Sequence, residues 1–97
     1  MKTCNNLDEV RTEIDMLDSE IVKLIAQRNA YIHQAARFKV STQEVKAPAR
    51  IAEVISHVRE EALAQGLSPN LMTQIYEIMI EEMVESEISE FRNTSNF

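Results

Sequence analysis

Apolar residues recur every three or four positions from Leu7 to Lys39, and no Pro or Gly interrupts them. This spacing builds one apolar stripe along a helix and is typical of a coiled-coil seam. The stripe contains Leu7, Val10, Ile14, Leu17, Ile21, Leu24, Tyr31, Ala35 and Phe38. The seam position between Leu24 and Tyr31 is Arg28, and a cation there costs stability unless something pairs with it. The pattern predicts a first helix over residues 7–39, in which Arg28 either has a specific role or pairs with a buried Glu.

The second helix is predicted to begin at Pro48, which suits a first turn, and to end near Gln65, before a left-handed cap at Gly66. Its apolar face consists of Ile51, Val54, Ile55, Val58 and Ala62. Residues 40–47, between the first two helices, are polar and β-branched without periodicity, so they are interpreted as a loop.

The third helix is predicted to begin with Ser68 as N-cap and Pro69 in the first turn, and to reach about Arg92, with a frayed tail over 93–97. One flank carries Leu71, Ile75 and Ile78, and a second stripe carries Tyr76, Ile80, Met83, Val84 and Phe91. Glu87 falls in the middle of the second stripe, where a carboxylate needs a proton or a neighbouring cation. A helix that is apolar on two sides is expected to be covered on two sides.

The length and composition indicate an all-α architecture and a single domain over residues 1–97, with its core at about 7–92. The 97 residues include one Gly and two Pro, too few turn residues for a β-rich fold. A helix over residues 7–39 would be ~50 Å long, whereas a compact chain of this size has a radius of gyration of about 13 Å. We therefore expect three helices per chain, one long and two shorter, interlocked with a second copy into an all-helical homodimer.

The charge and cysteine content exclude several function classes. A net charge of −6 argues against nucleic acid and anionic membrane as partners. Cys4 is the single cysteine, which fits a reducing cytosol, and neither a membrane-spanning run nor a signal peptide is recognisable. His33 and His57 lack metal-ligand spacing, and the chain has no Gly-rich phosphate loop. We expect a cytoplasmic protein without a metal site or cofactor.

Several cations are placed where they could form an anion site. Arg28 and Lys39, on one predicted helix, would face nearly the same side ~16 Å apart, whereas Arg11 would lie ~25 Å from Arg28. Arg11 could therefore share a small-molecule site only with Arg28 of an antiparallel partner chain. Arg50 lies in a first helical turn, where the helix dipole favours an anion. Spacing alone leaves open whether Arg11, Lys39 and Arg50 are only solvated charges, and whether Glu87 is a functional or a structural acid.

Four short segments occur in register along the predicted helices and are followed by the late Glu87. They are Leu7-x-x-x-Arg11-x-x-Ile14-x-x-Leu17-Asp18, Ala26-Gln27-Arg28, Arg37-Phe38-Lys39 and Ala47-Pro48-Ala49-Arg50. Because these segments follow one another in this order, the chain resembles the all-helical (type II) chorismate mutase family. Within that family it most resembles the branch that contains the isochorismate pyruvate-lyases. The resemblance covers roughly residues 7–92.

The resemblance implies an interlocked homodimer with two sites, each of which takes an arginine from the other chain's first helix. Arg11 of one chain, with Arg28 and Arg50 of the other, would bind the two carboxylates of a small dicarboxylate substrate. Lys39 and Glu87 would be the catalytic residues, both at the ether oxygen of the breaking C–O bond.

Four further positions bear on the resemblance. Asp18 matches a position that supports the arginines of the site. Ile51 stands where family mutases usually carry a Glu that contacts the ring hydroxyl, and the lyases are likewise aliphatic there. Ala47 replaces an Asp and Met83 a small hydroxyl residue of many mutases, so Ile51 and Met83 are predicted to influence specificity.

The implied activity is the cofactor-free rearrangement of chorismate to prephenate, a step of the shikimate pathway towards aromatic amino acids. One alternative is the isochorismate pyruvate-lyase reaction, which gives salicylate and pyruvate with the same cations. A second alternative is a non-catalytic helical dimer or a chorismate-binding regulatory module.

Overall fold

The computed structural model describes residues 1–95, and these residues contain helices but no strand. The helices are α1 (Leu7–Ala36), α2 (Thr42–Lys46), α3 (Pro48–Ala64) and α4 (Pro69–Ser95). The predicted all-α class is confirmed. The predicted loop at 40–47 is wrong in part, because it contains the short helix α2. None of the helices among residues 1–95 is long and apolar enough to span a membrane.

The beginning of α1 is fixed by the side chains of Asn6 and Glu9. Asn6 Oδ1 accepts the Glu9 N–H at 2.8 Å, and the Glu9 carboxylate accepts the Asn5 N–H at 2.8 Å. Asn6 thereby satisfies the N–H of Glu9, which has no partner within the helix, and the Glu9 carboxylate binds the N–H of Asn5 just before the cap.

The end of α1 differs from the prediction, because the helix stops at Ala36 and not at Lys39. The N–H groups of Arg37, Phe38 and Lys39 each donate to the carbonyl three residues earlier, at 3.1, 3.0 and 3.3 Å. Such i→i−3 bonds tighten and end an α-helix. Lys39 therefore lies outside α1, and the helical geometry from which the ~16 Å spacing to Arg28 was predicted does not extend to it.

The short helix α2 is capped at its beginning by Ser41, whose Oγ accepts the Glu44 N–H at 3.2 Å. The Glu44 carboxylate in turn accepts the Val40 N–H at 2.5 Å. These local side-chain bonds explain why a polar segment without helical periodicity still forms one helical turn. The helix ends at Ala47, which has φ 38° and ψ 60°.

Helix α3 ends and α4 begins as the sequence predicts. Gly66 has φ 76°, its N–H donates to the Leu63 carbonyl at 3.2 Å, and the Leu67 N–H donates to the Ala62 carbonyl at 2.8 Å. This pair of bonds is a Schellman motif, which needs a left-handed residue at the glycine position. Ser68 Oγ then accepts the Leu71 N–H at 3.4 Å as the N-cap of α4. Helix α4 reaches Ser95, beyond the predicted Arg92, and the last two residues of the predicted frayed tail, 96 and 97, lie outside the described residues.

The chain divides into two compact units, Met1–Tyr31 and the residues from Ile32 onward. The second unit has a core in which α3 packs against α4 and α2 also contacts α4. Its buried residues are Ala36, Val45, Val58, Ala62, Ile80, Met83 and Glu87. The predicted second stripe of the last helix therefore faces this core, whereas Leu71, Ile75 and Ile78 on the other flank are exposed. The prediction of one domain over the whole chain stays a prediction.

The first unit is the greater part of α1, and its apolar seam is exposed on the single chain. Ile14 is 49%, Leu17 62%, Ile21 52% and Leu24 59% accessible to solvent. Contiguous apolar surface of this kind marks an interaction face in soluble proteins. From Leu7 to Leu24 the predicted seam is therefore an exposed apolar stripe along α1 within the described residues.

Candidate active site

A buried carboxylate and a lysine form the centre of the candidate site. Glu87 is 3% exposed, and its Oε2 atom lies 3.3 Å from Lys39 Nζ. Within residues 1–95 this oxygen accepts no hydrogen bond of good geometry, so the lysine contact is an ion pair. Lys39 is thus the cation that the position of Glu87 in an apolar stripe requires.

The Lys39 side chain is held between helices α2 and α4. Its Nζ also donates to the Glu44 carbonyl at 3.0 Å, and the side chain is 25% exposed. Because Lys39 follows α1 through three consecutive tight turns, its backbone is fixed relative to the end of that helix. An ammonium with two oxygen contacts and partial exposure can still offer a third donor to a ligand.

An open groove of about 590 Å³ brings Lys39 and Arg50 to one surface. Its lining residues are Phe38, Lys39, Glu44, Ala47, Pro48, Ala49, Arg50 and Glu53. Arg50 lies in the first turn of α3 and is paired with Glu53 at 3.2 Å; both side chains are about 70% exposed, at 71% and 69%. An exposed pair of this kind contributes little stability and can be replaced by a ligand carboxylate.

The remaining predicted binding residues lie on α1, in the Met1–Tyr31 unit. Arg11 and Asp18 are exposed and Arg28 is half-buried. Since α1 is continuous through both arginines, Arg11 and Arg28 are ~25 Å apart along the axis. Arg11 and Arg28 of one chain are therefore not brought together.

The two predicted specificity residues lie close in sequence to Arg50 and to Glu87. Ile51 follows Arg50 in α3 and is half-buried. Met83 is 7% exposed and precedes Glu87 by one turn of α4, so the two share one face of that helix.

One polar cluster was not predicted from the sequence. His33 Nδ1 contacts Glu90 Oε2, and the Ser86 hydroxyl lies 2.9 Å from His33 Nε2. Ser86 and Glu90 are four residues apart on α4 and so lie on one face. That spacing was visible in the sequence, but nothing in it indicated that the end of α1 would meet this face.

Comparison with known proteins decides the family. A sequence model of the type II chorismate mutases matches residues 10–88, a range that includes Arg11, Arg28, Lys39, Arg50 and Glu87. The chain belongs to the type II chorismate mutase family.

Two characterised relatives carry two different activity names. An isochorismate pyruvate lyase of Pseudomonas aeruginosa is 30% identical over 97 residues, 97% of this chain and 96% of the relative. A chorismate mutase of Methanocaldococcus jannaschii is 30% identical over 76 residues, 77% of each chain. Membership of the chorismate mutase family is consistent with both names, since both activities occur among its relatives.

Proposed function

We propose that the protein is a chorismate mutase, which rearranges chorismate to prephenate. The observation that carries the proposal is the buried Glu87 paired with Lys39 at 3.3 Å, next to a groove that Arg50 also lines, in a chain of this family. The rearrangement needs no nucleophile or cofactor. The enzyme has to hold a dianion in a compact shape and stabilise the charge that develops on its ether oxygen.

The proposed roles follow from the donors that each residue offers. Arg28 and Arg50 bind the two carboxylates together with Arg11 of a second chain, because guanidinium groups match carboxylates in a planar, two-bonded geometry. Lys39 donates to the ether oxygen as a point charge. Asp18 supports the arginines from α1.

The proposed homodimer is supported by the uncovered seam of α1 and by the distance between Arg11 and Arg28. A helix that exposes Ile14, Leu17, Ile21 and Leu24 gains stability when a second copy covers them, at roughly 25 cal/mol for each Å² of apolar surface buried. Antiparallel pairing of two α1 helices would bring Arg11 of one chain towards Arg28 of the other.

Glu87 is proposed as the second donor to the ether oxygen. An ionised carboxylate only accepts hydrogen bonds, so Glu87 can donate to the ether oxygen only while it carries a proton. In the free protein the Lys39 ammonium faces it at 3.3 Å. The substrate ether would then share the lysine with Glu87 in the complex.

The second candidate function is that of an isochorismate pyruvate-lyase. The aliphatic Ile51 after Arg50 favours it, since this position lacks the acid expected for contact with the chorismate hydroxyl. The relative named for this activity also matches over 97% of the chain. A non-catalytic dimer or a chorismate-binding regulatory module is the third candidate, and it gives Arg28 no catalytic use.

The test offers purified protein chorismate and isochorismate separately and follows prephenate, salicylate and pyruvate. Prephenate from chorismate supports the mutase, and salicylate with pyruvate from isochorismate supports the lyase. Turnover of neither substrate, with Arg28→Ala unchanged in stability and ligand binding, would leave the plain helical dimer. Ile51→Glu should raise turnover of chorismate relative to isochorismate if the residue at this position contacts the ring hydroxyl.

The proposed location of the protein is the cytoplasm. It would act there in aromatic amino-acid biosynthesis as a mutase, or in salicylate formation as a lyase.

A further inference from the structure

We infer that His33 is a positioning residue, which holds the end of α1 against α4 so that Lys39 and Glu87 stay within reach of one another. The inference rests on the proposed function of the Lys39–Glu87 pair. It starts from the cluster of His33, Ser86 and Glu90, which lies outside the groove and takes no part in the proposed chemistry.

The imidazole of His33 uses both of its nitrogens to contact α4. Nδ1 contacts the Glu90 carboxylate and Nε2 lies 2.9 Å from Ser86 Oγ. With Nδ1 protonated, the ring donates to Glu90 and accepts from the Ser86 hydroxyl, so one neutral tautomer satisfies both contacts. Because the two contacts are made by different nitrogens at the edge of the ring, they fix the orientation of the imidazole as well as its position.

The cluster is connected to Lys39 and Glu87 through the backbone of two segments, α4 and the end of α1. On α4, Ser86 immediately precedes Glu87. On the other side, His33 lies in the last turn of α1, and the tight turns that follow bond the Lys39 N–H to the Ala36 carbonyl at 3.3 Å. Ala36 itself is 5% exposed. A displacement of His33 relative to α4 would therefore be passed on to Lys39 through a short hydrogen-bonded segment.

A hydrolytic role for the same three residues is not supported by their surroundings. Ser86 lies well inside α4 (Pro69–Ser95), where backbone N–H groups donate to carbonyls one turn earlier. These N–H groups cannot also stabilise the oxyanion that forms when a serine attacks a carbonyl group. The cluster is suited to hold two segments together and not to attack a substrate.

The experiment compares His33→Leu with His57→Leu, which changes the chain's other histidine, an exposed residue of α3. Because Lys39 acts on charge that develops in the transition state, loss of its positioning should lower kcat by roughly tenfold and leave KM within about twofold. His57→Leu should keep the wild-type values. His33→Gln, whose amide can donate to Glu90 and accept from Ser86, should recover most of the loss.

A double-mutant cycle separates positioning from a general structural effect. In a Lys39→Ala background His33→Leu should have little further effect on kcat, because both changes act through the same group. An equal loss of kcat in both backgrounds, or a wild-type kcat for His33→Leu, would overturn the positioning role. If His33→Leu does not fold, Ser86→Ala removes one of the two bonds and should show a smaller kcat loss of the same kind; no loss would overturn the role.

Failure of the proposed function would be visible separately, as wild-type protein that turns over neither chorismate nor isochorismate. The positioning role is then judged without activity, from hydrogen exchange of the Lys39 backbone amide. Faster exchange in His33→Leu than in His57→Leu would support the connection between His33 and Lys39. The same exchange rate in both variants would contradict it.

Discussion

Lys39 Nζ lies 3.3 Å from Glu87 Oε2, and these two residues come from a tight turn and from the middle of the last helix. The carboxylate is buried, at 3% exposure, whereas the lysine side chain is 25% exposed and also lines the groove. The ammonium therefore has one buried partner and one side open to a ligand. This arrangement suits a donor that must stabilise charge arising on a bound substrate.

Replacement of Lys39 tests this donor directly. Lys39→Met should lower kcat by a factor on the order of 10²–10³, the usual cost of removing one charge-stabilising donor. The matched control is Lys46→Met. Lys46 is an exposed lysine at the end of α2. Steady-state kinetics with chorismate and with isochorismate measure the effect, and equal rates for the two variants would exclude Lys39 as the donor.

Replacement of Glu87 tests its proposed role as a donor. Glu87→Gln keeps a side chain that can donate to the ether oxygen and should retain most of the wild-type kcat, whereas Glu87→Ala removes the donor and should lower kcat by a factor on the order of 10²–10³. Glu85→Ala, on the exposed face of α4, is the control and should keep the wild-type kcat. Steady-state kinetics measure the effect, and an equal loss of kcat in Glu87→Gln and Glu87→Ala would remove Glu87 from the donor role.

Shared sites in a homodimer can be tested by recombination of inactive variants. Arg11→Ala and Arg28→Ala should each be nearly inactive, and mixing with exchange of subunits should restore about a quarter of the wild-type activity, because half of the dimers then hold one intact site. The control mixture combines Arg28→Ala with Arg50→Ala, which should restore nothing, since both arginines come from the same chain of each site. No restoration in the first mixture, with exchange verified by mass spectrometry, would argue for self-contained sites.

Backbone strain at Ala47 gives a prediction about stability. This residue has φ 38°, in the left-handed region that costs a residue with a Cβ roughly 1–2 kcal/mol. Ala47→Gly should therefore raise the free energy of unfolding by about 0.5–1 kcal/mol after the greater chain entropy of glycine is subtracted. Chemical denaturation measures it, and Ala52→Gly, inside α3, should have the opposite sign. A lower unfolding free energy for Ala47→Gly would show that the left-handed conformation carries no strain.

Local chemistry explains how much of the fold was predictable. Asn6, Ser68 and Gly66 set helix ends through bonds to backbone groups within a few residues, so their effects can be read from the sequence. The first helix was predicted three residues too long, to Lys39 instead of Ala36. The hydrophobic period continues through Phe38, although the backbone changes to tighter turns after Ala36. Helix α2 was missed because one capped turn is too short to show a period.

The sequence by itself determined the three main helices, the apolar seam of the first one, the need of Glu87 for a cation and the family. Only the tertiary structure decided that this cation is Lys39, and that His33 meets Ser86 and Glu90. The physical reason is range: helical periodicity and capping act between residues a few positions apart. Contacts between distant residues depend on how whole helices pack.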